Sequence, residues 1–127
     1  MAILIGVLVM LGYDIANISN DLQVRFVHKI TFLLCDNMLA TSTTLPFEML
    51  RAAESAARGK VGSHVEPVLI QTTAISKLPV KTSIGFSLCP DTELEEAGDS
   101  NIIYLPALWR NPRPIVKKHP ELLMWLR

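Results

Sequence analysis

The residues best equipped for chemistry are few. Cys35 ends an apolar run and precedes Asp36, the place where a strand delivers a nucleophile to a site. A reactive thiol needs a base or a positive field to lower its pKa, and no histidine lies near it in sequence. Cys35 therefore reads as a core residue, and Cys89, between Leu88 and Pro90, reads the same way. The two cysteines form no CxxC pair, and with His28, His64 and His119 they show no metal-ligand spacing. No metal or cofactor is expected. Asp36 and Glu48 could pair as acid and base, but Glu48 reads more simply as a favourable charge near a helix N-terminus. Trp109 and Arg110 are more suggestive. An indole face holds an ammonium group by cation–π attraction, and a guanidinium pairs with a carboxylate.

These residues must be placed by a chain that is 50% apolar and 19% charged, enough apolar side chain for one folded core and too much for disorder. Its 127 residues fit one domain. Twelve basic residues balance twelve acidic ones, so no strong electropositive field marks a nucleic-acid track. The densest basic group, Arg110, Arg113, Lys117 and Lys118, reads as a solvated helix surface. The unpaired cysteine pattern points to a reducing cytoplasm. Residues 2–11 (AILIGVLVML) are an apolar run broken only by Gly6. That is far short of the ~20 residues a membrane span needs. A buried strand is the preferred reading, with a targeting element or a non-native leader as alternatives.

Further along, ITFLLC (residues 30–35) has the continuous apolar character of a strand buried on both faces, closed by the turn residues Asp36-Asn37. Hydroxyls at 42–44 suit a helix N-cap, and Pro46 suits the first turn. Leu45, Met49, Ala52, Ala53 and Ala56 then recur at helical spacing as the expected core face, with Gly59 as the stop. Residues 64–73 return to strand character, and two short extended pieces follow near 79–82 and 85–88. The acidic stretch 91–100 reads as a loop or one helical turn. NIIYL (residues 101–105) is another buried strand, and Asn111-Pro112 and His119-Pro120 mark two helix starts, the second with an apolar face at Leu122, Leu123, Trp125 and Leu126. Strand and helix in this order predict an α/β fold with an open, mostly parallel sheet. Such sheets bind ligands beyond the C-terminal ends of their strands, here at residues 35–37 and 106–109. The last helix carries no stop signal, which suggests truncation.

The stretches KITFLLCDNMLATSTTLPFEMLRAAESAA, VKTSIGFSLCPDTELEEAGDSNIIYLPALW and RNPRPIVKKHPELLMWLR, spanning residues 29–127, resemble the N-terminal domain of AraC-type transcriptional regulators. In that family a ThiJ/PfpI, class I glutamine amidotransferase-like domain precedes paired helix-turn-helix motifs. The resemblance implies a flavodoxin-like sandwich, with a mostly parallel sheet covered by helices on both faces and incomplete at its C-terminal end. It divides the chain into an N-terminal extension, 1–28, and a partial sensor domain, 29–127. It also implies a further strand with a nucleophile elbow, and then the DNA-binding helices, none of them within these 127 residues. Direct nucleic-acid binding by this chain is therefore not expected, nor is membrane insertion. Enzymes of the superfamily place an acidic residue where Ser42 stands, and tend to have Gly-Gly where this chain has Ala107-Leu108; both changes point away from catalysis. Regulators of this type often sense small amines or amino-acid-like compounds, which would place a small-molecule effector near Asp36, Asn37, Trp109 and Arg110. A fragment of a ThiJ/PfpI-like hydrolase or amidase is one alternative. A standalone interaction protein, whose apolar N-terminus completes the sheet or drives homodimer formation, is another.

Overall fold

A computed structural model describes residues 28–60 and 66–127. The apolar run 2–11, the rest of the extension through residue 27, and His64 lie outside the described residues. The elements are β1 (His28–Leu33), α1 (Ala40–Arg58), β2 (Val68–Ala74), β3 (Val80–Lys81), β4 (Ser87–Leu88), β5 (Thr92–Glu93), α2 (Leu94–Ala97), β6 (Ile102–Tyr104), α3 (Arg113–Lys118) and α4 (Pro120–Trp125). Four strands form a parallel sheet in the order β5-β2-β1-β6, and β3 and β4 form a separate antiparallel hairpin. The chain runs outward from β1 through β2 to β5 and then crosses back to β6 on the far side of β1. The direction of winding therefore reverses between β1 and β6, where an open α/β sheet leaves its crevice.

The mostly parallel α/β architecture read from the sequence is the one observed, and the register assigns its two faces. Phe32 stands level with Thr72 and Tyr104, and Ile30 with Ile70 and Ile102, on the face covered by α1. Phe32 is fully buried, stacked on Tyr104 at 4.7 Å between centroids and edge-on to Phe47 of α1 at 5.3 Å. The opposite face is more polar. Gln71 Nε2 donates to Thr31 Oγ1 (3.1 Å) and to the Ala97 carbonyl (3.2 Å), and Thr31 Oγ1 bonds Ser100 Oγ (2.6 Å). Lys29 Nζ also donates to the Ala97 carbonyl. The single turn α2 thus plugs one edge of that face with Leu94 and Ala97 and supplies the acceptor its polar side chains need. Leu122 of α4 joins Leu33 and Leu94 in an apolar cluster beside it.

Three expectations about the helices, and one about Cys89, are corrected. α1 starts at Ala40, so Pro46 lies inside the helix and Glu48 is past its first turn. Its predicted core face points outward: Leu45 is 57% and Met49 63% exposed, and Ala52, Ala53 and Ala56 are exposed as well. Thr43, Phe47, Leu50, Glu54 and Ala57 turn inward instead. The cause is side-chain area. Alanines offer little surface to bury, and one phenylalanine over Phe32 outweighs several of them. In α4, Leu122 is buried and Trp125 half-buried, while Leu123 and Leu126 face out. Cys89, expected in the core, is exposed.

This assignment of faces has a direct test. Phe32→Ala removes the ring that both Phe47 and Tyr104 contact, and such truncations cost about 3–5 kcal/mol. Met49→Ala, on the outward stripe, should stay within about 0.5 kcal/mol. Denaturant unfolding of both variants measures the difference, and comparable losses would mean that α1 is rotated.

Candidate functional site

Beyond the C-terminal end of β1 the chain makes a tight turn at Asn37, which takes a left-handed conformation (φ 63°). Asparagine tolerates this because its short amide can bond locally. Here Nδ2 donates to the Trp109 carbonyl at 3.2 Å. The backbone around it is used on both sides. Asn37 N–H donates to Lys81 O (2.9 Å) and Ser83 N–H to Met38 O (2.9 Å), which attaches the β3–β4 hairpin. On the other side, Leu39 N–H donates to Ala107 O (2.8 Å) and Trp109 N–H to Asn37 O (3.1 Å), with Met38 and Leu108 facing each other in an antiparallel bridge. Ser42 completes the junction. Its hydroxyl donates to Leu39 O (2.7 Å) and accepts the Ala107 N–H (3.0 Å). Ser42 was expected among the capping hydroxyls of the helix; it ties the first turn of α1 to the segment after β6 instead.

A cleft of about 230 Å³ opens beside this junction, beyond the ends of β1 and β2. Its walls are apolar, chiefly Leu34, Ala74, Leu78 and Val80, and its polar groups include Asp36, Ser76 and His119. Lys118 Nζ lies 3.6 Å from Asp36 Oδ2, and His119 Nδ1 lies 3.1 Å from Glu121 Oε1. The contact with His119 helps hold the Glu121 carboxyl below its usual range, after a bond to its own backbone. Cys35 also lines the cleft. Burial, and then the neighbouring Asp36 charge, push its thiol up to about 11. A thiol held protonated in this way is a poor nucleophile.

The four residues singled out from the sequence meet at this junction but do not share one wall. Asp36 lines the cleft, and Asn37 positions the loop by bonding Trp109. The Trp109 side chain is 50% exposed and Arg110, itself left-handed (φ 64°), is exposed; neither lines the cleft. The sequence reading missed the contribution of Ala74, Ile75 and Ser76 at the end of β2. The signal was available, since β2 is parallel to β1 and its C-terminal end opens on the same side. His119, read from the sequence only as the residue before a helix start, lines the cleft because Ile115 of α3 and Leu122 of α4 pack onto the core beside it. A second cavity, about 340 Å³, lies under α1 between Phe47, Glu48, Leu88 and Asp91. Among the described residues no group of His, Cys, Asp and Glu is arranged to hold a metal.

The raised Cys35 pKa predicts a pH dependence of stability. Between pH 9 and about 11 the folded chain keeps the Cys35 proton and the unfolded chain releases it. The unfolded state then binds fewer protons, so stability falls as pH rises through that window and is unaffected below it. Unfolding of wild type and Cys35→Ala at pH 8 and pH 10.5 should show a drop in wild type that the variant lacks. Equal drops would exclude Cys35 as the cause.

No family profile and no curated protein matches this sequence. Solved structures do match. A structure described as a transcriptional regulator protein from Vibrio parahaemolyticus superposes with a TM-score of 0.62 at 18% identity, over 79% of this chain and 49% of that one. An AraC family transcriptional regulator from Pseudomonas putida gives 0.52 at 16% identity, over 78% and 48%. Oxidized Toxoplasma gondii DJ-1 gives 0.52 at 12% identity, over 76% and 52%. The chain spans about half the length of these structures. Its described residues have the flavodoxin-like α/β fold that AraC-family regulators share with DJ-1.

Proposed function

We propose that this chain is the ligand-sensing portion of an AraC-type regulator, acting in the cytoplasm without enzymatic activity, and that its effector is a small amine or amino-acid-like metabolite. The observation that carries the reading is the apolar cleft at the strand ends with the Asp36 carboxylate on its lining. The chain already brings an ammonium to this carboxylate, that of Lys118 at 3.6 Å. A ligand amine can take the same place while its apolar body replaces water against Leu34, Ala74 and Val80. Exposed as it is, the Lys118–Asp36 pair is worth little, about 0–1 kcal/mol, so its displacement is a small obstacle. The likeness to two transcriptional regulators supports a sensing role. Binding is favoured over catalysis because the Ala107 N–H, a donor that an oxyanion site would use, is taken by Ser42. The protonated Cys35 thiol points the same way. The free cysteines Cys35 and Cys89 suit a reducing compartment, and no helix among the described residues is long and apolar enough to cross a membrane. DNA contact belongs to helix-turn-helix motifs outside this chain.

In this reading Asp36 binds the ligand directly and Asn37 is a positioning residue. Trp109 and Arg110 lie on the other side of the 37–39 segment and are proposed to meet the carboxylate end only of a longer, amino-acid-like effector that extends past that segment. Calorimetric titration of the 127-residue chain with small primary amines and amino acids tests it. Asp36→Asn should weaken the best binder by about tenfold, the scale of one lost charge-assisted contact. Trp109→Ala should leave simple amines within about twofold while weakening amino acids more. Binding that survives Asp36→Asn unchanged refutes the cleft as the site.

A further inference from the structure

The second cavity, about 340 Å³, lies under the first half of α1 at the β2–β5 side of the sheet, away from β6. Leu34, Phe47 and Leu88 give it apolar walls. No lysine, arginine or histidine lines it, while Glu48 and Asp91 both do. Two of the hydroxyl hydrogens on its walls are already committed. Thr44 Oγ1 donates to the Ala40 carbonyl (3.0 Å), and Thr72 Oγ1 donates to Asp91 Oδ2 (2.9 Å). What remains is acceptor capacity. Asp91 accepts the Thr72 N–H and hydroxyl on Oδ2 alone, which leaves Oδ1 open. Glu48 makes no hydrogen bond or ion pair among the described residues. Thr43, also in the cavity wall, is only 2% exposed, and its hydroxyl has no partner among the described residues. The usual recourse of a helical threonine is the carbonyl four residues back. Here that carbonyl is Leu39 O, which Ser42 engages through both its N–H and its hydroxyl. A buried hydroxyl left in this state is costly, and it calls for a partner from outside the fold.

We infer that this cavity is a second ligand site, which takes the protonated amine of a compound with a single ring or a short alkyl body. An ammonium brings a positive charge and three donors. The cavity meets it with Thr43 Oγ1, the open Oδ1 of Asp91 and the Glu48 carboxylate, and with no cation to oppose it. An anionic ligand would face two like charges and no counter-charge. A hydrocarbon would leave the Thr43 hydroxyl unsatisfied. The size suits the class as well: a cavity of about 150 Å³ is enough to hold benzene, so this one has room for a ring and an aminomethyl arm. Leu34 is the one residue that lines both this cavity and the cleft at Asp36. The inference does not depend on the ligand reading of the cleft.

Cys89 supplies a native reporter. Its thiol is exposed and lines this cavity, while Cys35 is buried and lines the cleft. Alkylation of the full chain by iodoacetamide at neutral pH, read by mass spectrometry, therefore reports occupancy here. Benzylamine, benzyl alcohol and benzoate present the same ring with a positive, a neutral and a negative group. Benzylamine should slow alkylation of Cys89 severalfold at saturation, benzyl alcohol much less, and benzoate not at all. Glu48 is exposed, so Glu48→Gln spares the fold, and it should raise the benzylamine concentration for half-protection by about tenfold. Asp36→Asn, in the cleft, should leave that concentration unchanged; a parallel rise would place benzylamine in the cleft and overturn the inference. Thr43→Val removes only the unpartnered hydroxyl. It should raise the melting temperature of the free chain and yet weaken protection, opposite effects that a purely structural threonine would not give, and Thr43→Ser should restore the affinity. Protection that is absent, or equal for all three compounds, or untouched by Thr43→Val overturns the inference.

Discussion

A buried peptide group without a partner costs as much as a lost hydrogen bond or more, and this cost organises the C-terminal end of the sheet. Residues 37–39 lie where the β1 loop, the β3–β4 hairpin and the segment after β6 converge. Each of these neighbours bonds to that short stretch. Met38 at its centre is fully buried, so water is no substitute acceptor there. The left-handed turn at Asn37 follows from the requirement, because the backbone must reverse quickly enough to present one side to Lys81 and the other to Ala107 and Trp109. The cleft opens on the hairpin side of this junction, and Trp109 projects on the other. Moving any one loop shifts both.

The sheet behind the junction is held by two unlike faces. On the α1 face, aromatic contacts among Phe32, Phe47 and Tyr104 dominate, and such packing tolerates small shifts. The opposite face fixes register. Gln71 is buried and its amide reaches both Thr31 and Ala97, while Thr73 Oγ1 donates to Thr92 O at 3.2 Å. Sliding β2 along β1 by one residue would turn these polar groups into the aromatic layer and leave them unpaired, a cost an apolar face cannot impose. Specificity of strand pairing therefore rests on the polar side, while apolar burial is shared between the aromatic layer and the Leu33–Leu94–Leu122 cluster.

Much of this was legible in the residues. The continuous apolar run at ITFLLC marked the central strand β1, since a strand buried on both faces leaves few positions for polar side chains. NIIYL, read as a second buried strand, does form β6, but among the described residues it is an outer strand with Ile102 and Leu105 more than half exposed. The strand ends pointed to Asp36 and Asn37. The orientation of α1 was not legible, because a count of apolar positions treats Ala53 like Phe47, while burial follows area. Nor was β5. Two residues of strand, Thr92–Glu93, carry no periodicity, and they are in the sheet because Asp91 Oδ2 accepts from the Thr72 N–H (2.8 Å) and brings the chain alongside β2. His119 escaped notice for the same kind of reason. Its place at the cleft is set by Ile115 and Leu122, which dock α3 and α4 onto the core, and no local pattern around a single histidine reports where its helix will lie.

The proposal that the junction holds a ligand and does not transform one rests on two features of its chemistry. Catalysis at a strand end needs a nucleophile kept partly ionised and donors left free for charge that develops in the transition state. Here both are spent in the ground state. The thiol at the cleft sits beside a carboxylate in a desolvated place, which works against ionisation. The Ala107 N–H is satisfied by a serine that itself anchors to Leu39. An acidic side chain in place of Ser42 could accept that same N–H but would add a negative charge to the junction. Serine gives the loop its hydrogen bond without the charge. The junction thereby gains rigidity and gives up an electrostatic lever on a reacting group, which is the trade that the proposed sensing role requires.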